Sequence, residues 1–249
     1  MKIYRFLHAG RPAIGVAEGD RIVRYSGSDA MTLGEPANDS IADAELLAPV
    51  APSKIVAVGR NYAEHAKELG NEAPSEPIIF LKPPSAILPP GGTIVRPPQS
   101  QRVDFEGELA IVIGKTAHNI ARADWRSVVL GFTCANDVTA RDLQKKDIQF
   151  TRGKSFDTFC PLGPCIDTDV DPAALSLRTR VNGETKQNGN TRDMVFDCGA
   201  IIEFITAVMT LHPGDVILTG TPAGVGPLTS GDRVEVEIEG IGVLRNVVA

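Results

Sequence analysis

The sequence predicts a mixed α+β fold that is rich in β-strands, with a barrel-like core and few short helices. The 249-residue chain has 24 glycines and 18 prolines spread along its whole length, a composition typical of many turns and short strands. Several segments alternate apolar and polar residues with the period of a strand, whereas one segment alone has a long helical period. These patterns favour a mixed β architecture over a sheet wound through alternating strands and helices.

A small β subdomain over residues 1–50 is predicted to precede a main domain over 51–249. Residues 1–25 contain short apolar segments separated by glycine-bearing turns, which predicts a group of short strands. Residues 26–50 are polar and then rich in leucine. The segment 47–52, with the sequence LAPVAP, is typical of a linker and marks the boundary.

The main domain is predicted to begin with a buried strand that ends at Gly59. A short helix over 61–69 follows, with Asn61 as its N-cap, and a second helix covers 139–147 with Asp137 or Thr139 as its cap. The remaining elements are strands at 77–82, 103–113, 128–137, 215–220 and 232–244, a hairpin of 175–182 and 185–188 around Asn182-Gly183, and the longest helix at 197–211.

Composition and charge exclude several classes of protein. The chain has 25 basic and 31 acidic residues and a net charge of −6, without the basic face that a nucleic-acid-binding protein needs. No apolar run approaches the roughly 20 residues of a membrane span, and the N-terminus lacks the apolar stretch of a signal peptide. Four cysteines without a CxxC pair predict reduced thiols, so we expect a cytoplasmic protein with no membrane or nucleic-acid partner.

Any metal in this chain is expected to be held by carboxylates. Four histidines occur without the HExxH spacing, and the cysteines form no metal-binding pair. Carboxylate oxygens are the ligands of hard cations, so Mg²⁺, Mn²⁺ or Ca²⁺ is the expected ion.

Glu106 and Glu108 share one face of the predicted strand 103–113, together with Asp104, because side chains alternate along a strand. The Cα atoms of the two glutamates would lie about 6–7 Å apart, and like charges at that separation repel unless a cation lies between them. The apolar run 110–113 indicates a buried strand, where carboxylates need a partner or a metal. The alternative is a solvent-facing edge with scattered acids.

Asp137 ends the next predicted strand, and Arg141 and Gln144 follow it at the spacing of one helical face. An acid, a bidentate cation and an amide on one face suit a metal together with a bound carboxylate. The alternative is a helix cap with an ordinary ion pair.

Other polar residues allow two interpretations each. Lys154 follows Gly153 without the first glycine of a P-loop, so nucleotide binding by that motif is rejected, and a solvated surface lysine is the simplest interpretation. Thr221 lies in a glycine-rich loop whose backbone amides around Gly220 would suit an anion. His65 and Glu68 are spaced i, i+3 on the first helix, either as a catalytic base with its orienting acid or as a surface pair.

Six ordered blocks resemble the fumarylacetoacetate hydrolase family, and its smaller acylpyruvase-type members in particular. The blocks are VGRNYAEHAKELG, EPIIFLKPPSA, VDFEGELAIVIGK, DVTARDLQ, GKSFDTFCPLGP and LTGTPAGVG. The resemblance covers residues 54 to about 240, and the first 50 residues resemble an N-terminal β module of some members. It implies a β-roll or barrel-like catalytic core, in a homodimer.

The resemblance also implies a role for ten residues. Glu106, Glu108 and Asp137 fall on the carboxylate ligands of Mg²⁺ or Mn²⁺, for which Ca²⁺ is a substitute. His65 and Glu68 fall on the dyad of a lid that activates water in hydrolytic members, and Lys154 on a catalytic lysine of the metal pocket. The implied substrate-binding residues are Arg141, Gln144, Thr221 and, near the pocket, Lys82.

The implied function is a metal-dependent enzyme acting on small 2-oxo or dienoic acids. The presence of both dyad residues favours hydrolysis of a C–C bond in an acylpyruvate, such as fumarylpyruvate. The alternatives are isomerisation of 2-hydroxyhepta-2,4-diene-1,7-dioate, and decarboxylation of 5-oxopent-3-ene-1,2,5-tricarboxylate or of oxaloacetate. All of these reactions pass through an enolate, which a divalent ion stabilises.

Overall fold

A computed structural model describes residues 1–41 and 44–249 and confirms the β-rich fold with short helices. The helices are α1 (Ala63–Glu68), α2 (Arg141–Lys146), α3 (Thr151–Lys154) and α4 (Cys198–Val208), with 3₁₀ turns at Pro84–Ala86, Arg122–Val128, Pro172–Ala174 and Thr191–Asp193. The strands are β1 (Lys2–His8), β2 (Arg11–Glu18), β3 (Arg21–Tyr25), β4 (Pro36–Ile41), β5 (Ile55–Gly59), β6 (Ile78–Lys82), β7 (Ile87–Leu88), β8 (Thr93–Ile94), β9 (Val103–Phe105), β10 (Gly107–Ile113), β11 (Val129–Asn136), β12 (Thr139–Ala140), β13 (Cys160–Asp167), β14 (Ser176–Val181), β15 (Glu184–Asn190), β16 (Val216–Leu218), β17 (Gly226–Pro227), β18 (Arg233–Ile238) and β19 (Gly242–Val248).

The described residues form three sheets. The large sheet has eleven strands in the order β4-β3-β2-β1-β13-β11-β10-β16-β5-β6, with β7 beside β13. A second sheet has the order β15-β14-β18-β19-β8, and a small one the order β12-β9-β17. The N-terminal strands join the large sheet through the antiparallel pair of β1 and β13. The division into a subdomain of 1–50 and a main domain of 51–249 stays a prediction.

The centre of the large sheet is buried on both faces. On one face, Leu109 and Ile111 of β10 pack with Val236 of the five-stranded sheet and Ile201 of α4. On the other face, Ala110 joins a second apolar cluster with residues of β5, β13 and β16. Burial of both faces explains the unbroken apolar run in β10 and confirms the buried strand that this run predicts.

Four strand ends of the large sheet meet at one edge. Strands β5 and β16 are parallel, and β16 also pairs antiparallel with β10. The beginning of β10 pairs with the end of β11, where Gly107 lies opposite Asn136. The chain therefore brings the segments after β5, β11 and β16 next to the segment before β10, and this edge carries the candidate site.

Two predicted helix caps are wrong. Helix α1 begins at Ala63 with Tyr62 as its N-cap, and the buried Asn61 amide instead donates to the carbonyls of Phe196 and Thr219. The amide is fully buried, so it is satisfied by backbone groups of distant segments.

Helix α2 begins at Arg141 and has no side-chain cap. Neither Asp137 nor Thr139 caps it, because residues 139–140 pair with β9 as a short strand. Asp137 thus lies before the helix, and not on one helical face with Arg141 and Gln144.

Other boundaries differ from the prediction in smaller ways. The predicted strand 103–113 is two strands that are interrupted at Glu106. Strand β13 and helix α3 were not predicted. The predicted hairpin is confirmed, with positive φ at Asn182 and Gly183, and α4 begins after Asp197, whose side chain caps it.

All four cysteines are free and buried. In the described residues, no helix is long and apolar enough to cross a membrane.

Asp215 joins the beginnings of the parallel strands β5 and β16. Its buried carboxylate accepts hydrogen bonds from the backbone and hydroxyl of Ser53, from the backbone and ammonium of Lys54, and from the amide of His212. Burial alone would raise the pKa of Asp215, but the bonds from Lys54, His212 and Ser53 outweigh it and hold the pKa below its usual range.

We therefore expect Asp215→Asn to lower the free energy of unfolding at pH 7 by about 1–3 kcal/mol, because buried donors lose a charged acceptor. A depressed pKa stabilises the fold above the pKa of the unfolded chain, about 3.9, and this contribution disappears as the pH falls through the lower folded value. In urea unfolding, the difference in the free energy of unfolding between wild type and variant should narrow below about pH 4. Asp20→Asn, at an exposed turn, is the control; equal stabilities at pH 7 would contradict the prediction.

Candidate active site

Three buried carboxylates converge at the sheet edge. Oxygen atoms of Glu106, Glu108 and Asp137 lie within 4.8 Å of one another. Glu106 occupies the break between β9 and β10, Glu108 follows at the beginning of β10, and Asp137 comes directly after β11. The two chain segments are held in register, since the Glu106 amide donates to the Asn136 side chain at 2.9 Å and the Asp137 amide to the Glu106 carbonyl at 2.8 Å.

Buried cations compensate two of the three carboxylates. The ammonium of Lys154 lies 2.7 Å from Glu106 and 2.6 Å from Asp137. The Lys82 ammonium donates to the other oxygen of Asp137 at 2.5 Å, and Arg141 donates to Glu106. Among the described residues, Glu108 has no cationic partner and accepts one hydrogen bond, from the Gly220 amide at 2.6 Å.

This unequal compensation separates the acidities of the two glutamates. Burial penalises the charge of Glu106, but Lys154 and Arg141 outweigh it and hold its pKa well below the usual range. Burial, and then the charges of Asp137 and Glu106, raise the pKa of Glu108 well above the usual range. Glu108 is therefore the carboxylate that an added positive charge would stabilise most.

The three carboxylates fit a divalent cation. Their oxygens form the hard donor set that Mg²⁺ and Mn²⁺ prefer. Glu108, which has no cationic partner among the described residues, is the structural reason to expect such an ion. A cation among the three carboxylates would offset the repulsion that the buried charge of Glu108 experiences. Glu106, Glu108 and Asp137 are the residues that would hold it.

Arg141 links Glu106 to helix α2. Its guanidinium donates to Asp104 at 2.9 Å, to Gln144 at 2.6 Å and to Glu106. Asp104 is fully buried and also pairs with Arg102. The guanidinium is thus fixed by acids on both sides, and its side chain orients both Glu106 and the Gln144 amide.

The loop after β16 connects the carboxylates to the dyad. Gly220 and Gly224 have φ values of +99° and +102°, and their amides donate to Glu108 and to Glu68. The expected anion at Gly220 is therefore the chain's own Glu108. The Thr221 hydroxyl donates to the Gly107 carbonyl at 2.8 Å.

His65 and Glu68 form the expected pair on α1. Nδ1 of His65 lies 3.2 Å from Glu68 Oε2, and Glu68 also accepts the Gly224 amide at 3.1 Å. His65 is 4% exposed, so its ring is enclosed rather than lying on the surface. A carboxylate at Nδ1 fixes the orientation of the ring and leaves Nε2 for a bound molecule.

The site is the wall of a cavity of about 410 Å³. Glu68 lies behind His65, where it contacts Nδ1, and Lys82 lies behind Asp137, so neither lines the cavity. The structure shows Lys82 in contact with Asp137, and its expected role near the substrate stays a prediction. The other predicted site residues all line the cavity: His65, Glu106, Glu108, Asp137, Arg141, Gln144, Lys154 and Thr221.

Sequence reasoning missed Gln187 and Arg60. Gln187 is fully buried; its side chain accepts the Gly107 amide at 2.9 Å and donates to the Thr221 hydroxyl at 2.7 Å. It lies in the polar strand ETKQNGN, where no local pattern distinguishes it. Arg60 lines the cavity directly after β5, and its sequence neighbours give no sign of that position.

Comparison with known proteins identifies the family. The family described as fumarylacetoacetate (FAA) hydrolase C-terminal matches residues 54–249, and the one described as Rv2993c-like, N-terminal matches residues 1–49. The chain therefore belongs to the fumarylacetoacetate hydrolase family, and it is an enzyme of that family.

Two relatives are similar to this chain over most of its length. An uncharacterised protein of Methanocaldococcus jannaschii is 57% identical over 208 residues, 84% of this chain and 88% of that protein. The human mitochondrial oxaloacetate tautomerase FAHD2A is 49% identical over 220 residues, 83% of this chain and 70% of that protein.

Among solved structures, a 5-carboxymethyl-2-hydroxymuconate delta-isomerase from Mycobacterium smegmatis is 45% identical with a TM-score of 0.93, covering 100% of this chain and 99% of that one. A fumarylacetoacetate hydrolase from Exiguobacterium antarcticum is 41% identical with a TM-score of 0.91, at the same coverage. These names leave the choice between hydrolase and isomerase open.

We predict that Glu108→Gln and Asp137→Asn both remove Mg²⁺ binding but change stability in opposite directions. Without metal, Glu108→Gln removes a repelled charge and should raise the free energy of unfolding by roughly 1 kcal/mol. Asp137→Asn leaves the buried Lys82 and Lys154 without their acid and should lower it by about 3 kcal/mol. Calorimetric titration and urea unfolding in EDTA measure the two effects. Unchanged Mg²⁺ affinity in both variants would exclude the assigned ligands.

We also predict that Gln187→Leu weakens Mg²⁺ binding by roughly tenfold, although Gln187 is not a ligand. The substitution leaves the Gly107 amide, between the two glutamates, without its acceptor and frees the Thr221 hydroxyl, and such a loss costs about 1–3 kcal/mol. Asn188→Leu, on the exposed side of the same strand, is the control for folding and for metal affinity. A folded Gln187→Leu protein with wild-type affinity would show that Gln187 does not position the carboxylates.

Proposed function

We propose that this enzyme uses a divalent cation to interconvert the enol and keto forms of small 2-oxo acids. The observation that carries the proposal is the position of His65, paired with Glu68, in the wall of the same cavity as the three carboxylates. The relatives support an isomerisation, since a protein 49% identical is named an oxaloacetate tautomerase and a structure 45% identical is named a delta-isomerase.

The reaction needs a proton transfer between oxygen and carbon. A divalent ion held by the carboxylates would supply a Lewis acid for the 2-oxo group. Ketonisation moves one proton from the enol oxygen to C3, and a histidine with a free Nε2 suits that transfer near neutral pH. Burial lowers the pKa of Lys154, but Asp137 and Glu106 outweigh it and raise the pKa, so Lys154 stays cationic and stabilises negative charge on the substrate.

Hydrolysis of an acylpyruvate is the second candidate. The same histidine can take a proton from water, whose oxygen then attacks the C4 carbonyl, and the bond between C3 and C4 breaks to give a carboxylic acid and the enolate of pyruvate. The orientation of His65 by Glu68 favours this reaction, as does the 41% identity to a structure named a fumarylacetoacetate hydrolase. Decarboxylation of oxaloacetate would need neither the water nor the histidine.

A panel of substrates distinguishes these reactions. We expect the Mg²⁺-loaded enzyme to accelerate ketonisation of enol-oxaloacetate, followed by the loss of enol absorbance, more than it hydrolyses acetylpyruvate or fumarylpyruvate. EDTA should abolish the activity. Hydrolysis that exceeds ketonisation in kcat/KM would reverse the order of the two candidates, and the absence of turnover of every 2-oxo acid in the panel would refute both.

We predict that His65→Gln lowers ketonisation and acylpyruvate hydrolysis by about 10²-fold or more, the usual effect of losing a general base. Mg²⁺ affinity should remain unchanged, because His65 is outside the carboxylate cluster. Decarboxylation of oxaloacetate should fall much less. Wild-type ketonisation and hydrolysis in a folded His65→Gln enzyme would mean that the pair with Glu68 has no catalytic role.

A further inference from the structure

Arg60 is a cation that lines the cavity without pairing with any of the three carboxylates. It lines the same cavity as the three acids and is partly exposed. Among the residues that the structure describes, no acid forms an ion pair with it and no side-chain hydrogen bond involves its guanidinium. The inner cations differ in this respect, since Lys154 and Arg141 are each bonded to two acids of the site.

The chain holds Arg60 at the cavity by an unusual backbone conformation. Its φ is +57°, in the left-handed region that non-glycine residues rarely adopt. The following residue, Asn61, is fixed by hydrogen bonds to the carbonyls of Phe196 and Thr219 and from the amide of Phe196. Arg60 lies between the end of β5 and this fixed residue, so its backbone position is set by the sheet edge that forms the site.

The cavity is also lined by charged residues outside the carboxylate cluster. Asp147 is one of them, but both its oxygens accept bonds from Arg152, at 2.6 and 2.7 Å. Lys145 also lines the cavity and is exposed. The cavity is therefore lined by two cations, Arg60 and Lys145, that form no ion pair among the described residues, and the planar guanidinium of Arg60 matches a carboxylate.

We propose that Arg60 binds the second, distal carboxylate of a dicarboxylic 2-oxo acid. This inference rests on the proposed function, which assigns the 2-oxo acid end of the substrate to the carboxylate cluster. The substrate then spans the cavity from the carboxylate cluster, which would hold the metal, to the cationic Arg60. Arg60 selects diacids over monoacids of the same length.

A matched pair of ligands tests this role. 2-Oxoglutarate and 2-oxopentanoate have the same carbon chain and differ only in a terminal carboxylate or methyl group. Calorimetric titration of the Mg²⁺-loaded protein should give tighter binding of the diacid. Arg60→Gln should weaken diacid binding by about tenfold or more, the effect of losing a charge-assisted pair, and leave the monoacid unchanged. Arg60→Lys should retain part of the preference.

The control is Arg11→Gln, which removes an exposed cation of β2 that does not line the cavity. It should leave the diacid preference close to that of the wild type. The inference would be overturned if Arg60→Gln lost the same affinity for both ligands or lost affinity for neither. It would also be overturned if the wild type did not prefer the diacid.

Kinetics separate this inference from the proposed function. If oxaloacetate is turned over but its KM is the same in Arg60→Gln as in wild type, the inference fails alone. If the wild type binds the diacid through Arg60 but converts no 2-oxo acid, the proposed function fails and the binding site stands.

Discussion

The repulsion among three buried carboxylates is the constraint on which the rest of the site depends. Glu106, Glu108 and Asp137 are drawn together against their mutual repulsion, and burial strengthens that repulsion. Lys154 and its neighbours offset two of the charges, and Gly220 offers the third a single amide. The fold thus holds a site that is incompletely neutralised and that a divalent cation would complete. Relief of the repulsion among the carboxylates would thus contribute to the free energy of cation binding.

The large sheet makes this arrangement possible because it brings distant segments of the chain together at one edge. Strand β10 is hydrogen-bonded on both sides, to β11 and to β16, and it is buried on both faces. Its first residues cannot move without disturbing two neighbours. Gln187 reaches from the five-stranded sheet to the amide between the two glutamates, so both sheets hold the same short segment. Rigid positioning of this kind is what a site of repelling charges requires.

The sequence predicted what depends on local pattern and missed what depends on distant contacts. Alternation along 103–113 placed Glu106 and Glu108 on one face, and the apolar run beside them gave their burial. The break at Glu106 and the partners of Asn61 follow from pairing with segments far along the chain, which no local period records. Local patterns singled out nine of the ten site residues as candidates, and the family resemblance of six ordered blocks added Lys82 and assigned the roles. Their assigned roles remain predictions, although eight of the ten line one cavity.

The distribution of charge explains how a chain with a net charge of −6 can take an anionic substrate. The overall charge acts at long range, where salt screens it within about 10 Å, whereas a ligand in the cavity responds to the charges of the cavity walls. In the carboxylate cluster, Glu106 and Asp137 are paired with cations, and Lys154 remains charged because these two acids raise its pKa against the effect of burial. Elsewhere on the wall, Asp147 is bound by Arg152, and Arg60 has no acid partner among the described residues. Among the described residues, the acids that line the cavity are therefore paired with cations or, in the case of Glu108, available to a metal, and Arg60 and Lys145 remain as cations that would attract an anionic substrate.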